Sequence, residues 1–419
     1  MNRIILIGNG FDLAHKLPTS FAEFLDHYWF RIIEEILDTD GNDPFENSDL
    51  KISRSPSHWD LGKNYYDLKE GIKRSGATLA FKNKLLKRIS EYSYQNRWVD
   101  IENEYYYLLK ESFQKEDKDY SIDSLNQDFH RIRESLIDYI TDIEYNSDLS
   151  NATCRNQIFY NIYSRFEFKD FTEKAINERA QMELDSIKEI SKRAQTDKVV
   201  NDDLTNVQRN LMNRLGTEDD YSVIRKLLIS GSAPNYFDVY PDNILFLNFN
   251  YTKSEKHYYN PNASHFIDMD KKVRTDSIHI HGSVYTHDRN PVIFGFGDEI
   301  DENYKAIENL NDNRYLEHIK SIKYLETDNY KRLLEFINGD QYQIFIFGHS
   351  CGNSDRTLLN TLFEHENCVS IKPFYYKKSD LKDNFSELIM NITRNFNDKA
   401  LLRDKVVNKL YCEELCKNA

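Results

Sequence analysis

A histidine, an asparagine and two aspartates stand just beyond apolar runs of this chain, and their types suit proton transfer and positioning. His281 follows Ile278-His279-Ile280 and precedes Gly282-Ser283. An imidazole at a strand tip titrates near neutrality and can take a proton from a bound reactant, so His281 reads as a general base. His279 alternates with it on the same strand and reads as a supporting residue on the same face. A His-x-His pair can also hold a metal, but carboxylate or histidine partners at ligand spacing are not evident. Asn250, ending Asn248-Phe249-Asn250, offers a donor and an acceptor that can orient a water or a ribose hydroxyl; the alternative is a simple Asx turn. Asp12 either contacts a ribose or caps the following helix. Asp355 either binds ligand or is a first-turn carboxylate favoured by a helix dipole.

Five elements would position these groups. Ile4–Ile7, Ile244–Leu247, Ile278–Ile280, Val292–Phe294 and Ile344–Phe347 are short apolar runs, each ending at glycine or a polar cluster. Continuous apolar runs read as buried parallel strands, and ligands of open α/β sheets bind beyond the strands' carboxyl ends. All five clusters are therefore expected on one rim. Seven of the 14 glycines lie in them, marking sharp turns or close approach to a ligand. Gly8-Asn9-Gly10-Phe11-Asp12 and Gly348-His349-Ser350-Cys351-Gly352 each precede a helical stretch, so both loops are expected to aim amide N–H groups at an anion such as pyrophosphate. The third glycine of the dinucleotide fingerprint is replaced by Leu13, so this is not the usual dehydrogenase pattern. After Gly348, a helix with Leu358, Leu359, Leu362 and Phe363 on one face and then Val369-Ser370-Ile371 complete a βαβ unit.

Between the first run and the other four lies a long charged stretch. Arg31–Leu37, Leu79–Ile89, Ile132–Ile143 and Phe171–Arg193 carry apolar residues at helical spacing, and Trp98, Ile101, Tyr105 and Leu108 share a helical face. Loops are marked by Asp40–Pro44, Ser53–His58 and Gly231–Asn235. The organisation expected is one discontinuous α/β domain of residues 1–20 and 241–400, a helical insertion over 21–240, and a C-terminal helix over 401–419.

Composition narrows the function classes. A net charge of −14 argues against broad binding to a phosphate backbone, so nucleic acid is not expected as a partner. No apolar stretch approaches the roughly 20 residues that span a bilayer, and the first run is too short for a secretory leader, so a cytoplasmic protein is expected. The five scattered cysteines fit a reducing compartment, and Cys412 and Cys416, four apart on the expected terminal helix, lack a second pair for zinc.

The ordered segments ILIGNGFDLAHKLPTSFAEF, WVDIE, FLNFNYT, HIHGS and FGHSCGNSD resemble the AbiH family of bacterial phage abortive-infection proteins, from Met1 to about Tyr376. They are also similar to a divergent sirtuin-type NAD-binding domain. That resemblance implies a Rossmann-like, sirtuin/DHS-like parallel sheet with NAD as substrate or ligand. Gly8, Asn9, Gly10, Phe11 and Asp12 would form the first loop, and Gly348, His349, Ser350 and Asp355 the late one. Asn250 and His281 take the catalytic positions, and Leu17-Pro18-Thr19 resembles the stretch covering the nicotinamide ribose. Asn9 and Asp12 depart from the usual small residue and serine, and the four-cysteine zinc module of deacylases is absent. The function implied is an antiphage effector that cleaves the nicotinamide–ribose bond without a resident cofactor or metal. The alternatives are a non-enzymatic nucleotide sensor and a metal-dependent hydrolase or nuclease. Expected partners are NAD or a related nucleotide, with a phage-derived trigger and a second copy of the chain as further candidates.

Overall fold

Five strands form the central sheet of the computed structural model: β1 (Asn2–Ile7), β2 (Asn243–Asn248), β3 (Arg274–His279), β4 (Tyr342–Phe347) and β5 (Cys368–Phe374). The structure describes residues 1–38, 43–55, 61–96, 100–114, 120–147, 154–216, 220–259, 272–285, 289–379 and 382–417. Trp98 and Val99, residues 40–42 of the first expected loop and 56–58 of the second lie outside the described residues.

All neighbours in the sheet are parallel, in the order β3-β2-β1-β4-β5. The order reverses at β1, which makes the gap between the ends of β1 and β4 the usual ligand crevice of an open α/β sheet. Ile7 is level with Asn248 and Phe347, and Asn248 with His279. Four of the five expected tips therefore share one rim.

The fifth does not come from a strand. Val292–Phe294 is extended but joins no ladder. Its aromatic neighbours are satisfied elsewhere: Phe294 stacks on Phe129 with ring centroids 4.8 Å apart, and Phe296 on Tyr106 at 3.8 Å. Val292 and Phe294 pack in the core of the helical region, while Ile293 between them packs on the sheet face that carries Ile4 and Leu245.

The helices that position the site are α1 (Asn9–Ala14), α2 (Phe21–Leu37), α3 (Ile101–Gln114), α4 (Ile122–Asn146), α5 (Arg155–Ile162), α6 (Asn329–Gly339), α7 (Arg356–Glu364) and α8 (Phe385–Arg394). Side chains alternate across each strand, so Ile4, Leu6, Leu245, Ile344 and Ile346 face α6, α7 and α8. Ile5, Ile7, Phe246 and Phe345 face Phe11, α5 and Leu415 on the other side. Both faces are covered, which is why the strands read as unbroken apolar runs. The helix α2 begins where Ser20 and Glu23 form a reciprocal capping box.

The long middle is not purely helical. Phe45–Glu46, Leu50–Ile52 and Leu79–Phe81 pair as a small antiparallel sheet, so the helix expected from Leu79 begins only at Lys84. Helices α2, α3 and α4 share one core with that sheet, whereas α5 packs on the central sheet. Arg3, fully buried in β1, donates to the carbonyls of Ile162 (2.9 Å) and Ser164 (2.6 Å) and thereby caps the end of α5. Burial lowers this guanidinium to about 9.

At the other end, a helix stops at Lys405 and a single turn covers Lys409–Tyr411. The expected terminal helix is thus replaced by an extended segment in which Leu415 N donates to Tyr375 O (3.0 Å). Burying Leu415 and Cys416 against the sheet wins over helix formation. Cys416 joins Cys154 in a disulfide with Cα atoms 5.3 Å apart, a pairing across 262 positions that the scattered count did not suggest.

The glycines of the two rim loops are needed by each other. Gly10 N donates to Gly348 O (2.9 Å) and Gly8 N to Phe347 O (3.1 Å). A Cβ on Gly348, at φ 72°, would lie 2.1 Å from Phe11 N. Gly348→Ala is expected to destabilise the protein by about 2 kcal/mol or more in urea unfolding, whereas Gly339→Ala, with nothing nearby, changes it by less than about 1 kcal/mol. Equal effects would show that the loops do not depend on this contact.

Candidate functional site

The chemistry-bearing side chains at the rim fall into two groups. In the first, Asp355 at the start of α7 receives three cationic or potentially cationic partners. Lys320 Nζ lies 2.9 Å from its Oδ1, His281 Nε2 lies 3.2 Å from the same oxygen, and His349 Nε2 lies 3.5 Å from Oδ2. Lys320 also donates to Glu102 Oε2 on α3 (2.8 Å), while Glu102 Oε1 accepts from Gly295 N (3.1 Å). Lys320 is 1% exposed, so its charge survives only because Asp355 and Glu102 both accept hydrogen bonds from it. Phe249 lies across both imidazoles, with centroids 5.0 Å from His281 and 4.3 Å from His349.

Electrostatics fixes the protonation states. Burial opposes ionisation of Asp355, but Lys320 and then His281 outweigh it and hold the carboxyl well below the usual range. Burial also opposes the charge on Lys320; Asp355 and Glu102 together raise it instead. Glu102 goes the other way: burial raises it to about 8 even though Lys320 pulls it down. One lysine thus keeps one carboxylate, Asp355, ionised near neutral pH. Burial and then Lys320 lower His281 to about 4, so its ring is neutral.

A neutral imidazole carries one N–H. Because ionised Asp355 can only accept, that proton belongs on Nε2 of His281, and the basic lone pair is left on Nδ1. Tyr324 Oη sits 3.1 Å from the same Nε2. His349 follows a parallel logic: Cys351 N donates to its Nδ1 (3.0 Å), so the ring proton is on Nε2, facing Asp355.

The second group centres on Asp12. Thr252 Oγ1 donates to its Oδ2 (2.7 Å) and Ser254 Oγ to its Oδ1 (2.6 Å). Asn250 Nδ2 donates to Gly8 O (3.1 Å), and its backbone N donates to Asn248 Oδ1 (2.8 Å). These bonds tie the first glycine loop to the end of β2. Burial raises Asp12 to about 6, with Ser254 and Thr252 working against it.

The expected residues therefore separate. His281, His349 and Asp355 meet, whereas Asn250 and Asp12 meet one another and Gly8 instead. Gly8, Gly10 and Gly348 form the loop-to-loop contact, and the amides of Gly10 and Phe11 are spent on Gly348 O and Gly8 O. Phe11 is fully buried in the core on the second face of the sheet. Asn9 is exposed and accepts from Thr19 Oγ1 (2.6 Å). Ser350 is exposed, and its carbonyl accepts from Asn391 (2.8 Å), so it lies outside the Asp355 cluster. His279 pairs with buried Glu255 (2.9 Å), not with His281's partners. Among the described residues no group of three or more His, Cys, Asp or Glu is placed to hold a metal ion. None of the helices found there is long and apolar enough to cross a membrane.

Lys320 and Tyr324 were not singled out in the sequence, whereas Glu102 ends the WVDIE segment quoted above. His318-Ile319-Lys320-Ser321-Ile322-Lys323 reads as an ordinary solvated stretch. Its one signal is that Lys320 and Ser321 stand between two isoleucines, Ile319 and Ile322.

The depressed His281 has a consequence for pH dependence. The unfolded chain accepts a proton near 6.5 and the folded chain only near 4, so stability falls as pH drops through that window. Thermal melts should show a smaller loss between pH 6.5 and 4.5 in His281→Gln than in wild type. Parallel curves would assign the acid loss to other groups.

Comparison with known proteins places the chain in a family. No curated protein and no solved structure matches the chain. The family model for AbiH, described as "Bacteriophage abortive infection AbiH", matches residues 4–377, a span that includes β1, both glycine loops, His281, Lys320 and Asp355. With nearly its whole length matched, the chain belongs to the AbiH family, and phage abortive infection is its functional class.

Proposed function

We propose that the protein is an abortive-infection effector that hydrolyses the nicotinamide–ribose bond of NAD at the rim of a Rossmann-like sheet. The observation that carries the chemistry is the neutral His281 whose Nε2 proton is directed to Asp355, an arrangement that presents Nδ1 as a base. In this reading a water attacks the anomeric carbon and gives its proton to Nδ1. The glycosidic bond breaks, and its electron pair leaves with nicotinamide, neutralising the ring nitrogen. Such a reaction passes through an oxocarbenium-like state, so positioning and a nearby negative charge contribute more than a strong nucleophile. Asp355 supplies that charge. Asn250 acts indirectly, by holding the first glycine loop through Gly8 O.

The choice of NAD rests on the similarity of the glycine loops, Asn250 and His281 to a sirtuin-type site, together with the strand order. The loops' amides are already paired with each other, so in this reading the pyrophosphate is held by side chains or by loops that part on binding. A second reading, a nucleotide sensor without catalysis, is favoured by one observation: His281 is only 4% and Lys320 1% exposed.

The test is nicotinamide release from NAD by the purified protein. Wild type is expected to turn NAD over, and His281→Gln to lose at least about a hundredfold in rate while keeping its melting profile at neutral pH. Recovery of stoichiometrically bound, intact NAD would select the sensor. If wild type leaves NAD untouched and unbound yet still arrests infected cells, the NAD chemistry is wrong.

A further inference from the structure

Beside the rim, on the far side of the segment that carries Ile293, lies a cavity of about 520 Å³. That volume falls within the roughly 300–1,000 Å³ typical of small-ligand sites. It is separate from the Asp355 cluster: Ile293 N donates to His281 O (2.8 Å), so backbone stands between the two. Its walls come from α4 and from the segments around Ser283–Tyr285, Arg289–Phe294 and His318–Glu326.

We propose that this cavity is a binding site for a small phosphate-bearing ligand. Three cations line it, Arg133, Arg289 and Lys323, against two carboxylates, Glu134 and Glu326. In a chain of net charge −14, a lining with one more cation than carboxylate is a local departure that favours an anion. Arg133 and Lys323 are held in place by their acidic neighbours, at 2.8 Å in each case, and both stay at the cavity rim. Arg289 is exposed and sits at φ 51°, a left-handed conformation that a non-glycine residue adopts at a cost.

The wall supplies a further recognition group. His318 is 5% exposed, and its Nε2 has no hydrogen-bond partner. A buried polar atom without a partner costs free energy that a bound acceptor recovers. Burial and the nearby cations Arg133 and Lys323 lower this histidine to about 4, so it is neutral and the site's positive charge comes from Arg and Lys. The frame is rigid. Gly282, at φ 76°, lets Ser283 N reach Asn290 O (3.2 Å), and a Cβ there would meet Pro291 O at 1.9 Å.

This proposal does not depend on the reaction at His281. Titration calorimetry of the full-length protein with pyrophosphate, AMP and adenosine tests it. Pyrophosphate and AMP are expected to bind and adenosine not to, and Arg289→Gln/Lys323→Gln is expected to weaken both anions at least tenfold. Tighter binding of AMP than of pyrophosphate identifies a nucleotide as the source of the phosphate. Equal binding identifies phosphate itself, and either result supports the site. The ¹⁵N resonance of His318 should shift on adding pyrophosphate. Absence of binding at millimolar anion, or affinity unchanged in the double variant, overturns the proposal. Loss of NAD cleavage with anion binding intact would reject only the proposed reaction.

Discussion

A lysine ammonium withdrawn from water has to be neutralised where it lies, and in this protein that requirement joins parts of the chain far apart in sequence. Lys320 meets Glu102 from α3 and Asp355 from the start of α7. Removing one partner of a buried ion pair typically costs about 3–5 kcal/mol, because the remaining charge has nowhere to go. The helical region and the sheet therefore cannot slide relative to each other without exposing an unpaired charge. The same lysine sets the ionisation of Asp355, which in turn fixes the proton on His281. Architecture and acid–base state follow from one contact.

The crevice between β1 and β4, where an open α/β sheet ordinarily admits its ligand, is filled by its own glycine loops. Missing side chains allow two backbones to approach, not a backbone and a phosphate. The buried polar cluster stands to one side, towards the tip of β3, where His281 meets residues brought by α3 and by the Lys320 segment. The neighbouring cavity lies on that same side.

Much of this was legible in the residues. The apolar runs at Ile4, Ile244 and Ile344 marked buried parallel strands because both of their faces are covered, and periodicity cannot fail when no face is wet. The same signal misled at Val292–Phe294, where Phe294 packs on Phe129 and Ile293 against the sheet's core without joining a ladder; composition reports burial, not the partner that provides it. Leu79–Phe81 misled for a related reason, since three residues are too few to separate a strand from the first turn of a helix. His281 and Asp355 announced themselves by standing beside glycine loops. Lys320 did not, because only tertiary contact turns an ordinary charged stretch into a buried cation. The two cysteines joined across 262 positions were invisible for the same reason.

The middle strand of the sheet is the first to be made and among the last to be completed. Asn2 aligns with Asn243 on one side and Tyr342 on the other. At translation speeds of 5–20 residues per second, β1 waits roughly 10–70 s for its neighbours. During that interval an apolar ribbon stands without hydrogen-bonding partners, and the rim that carries His281 and Asp355 does not exist. A chain interrupted midway therefore never closes the sheet: β1 lacks β4, and Lys320 has no Asp355 to meet.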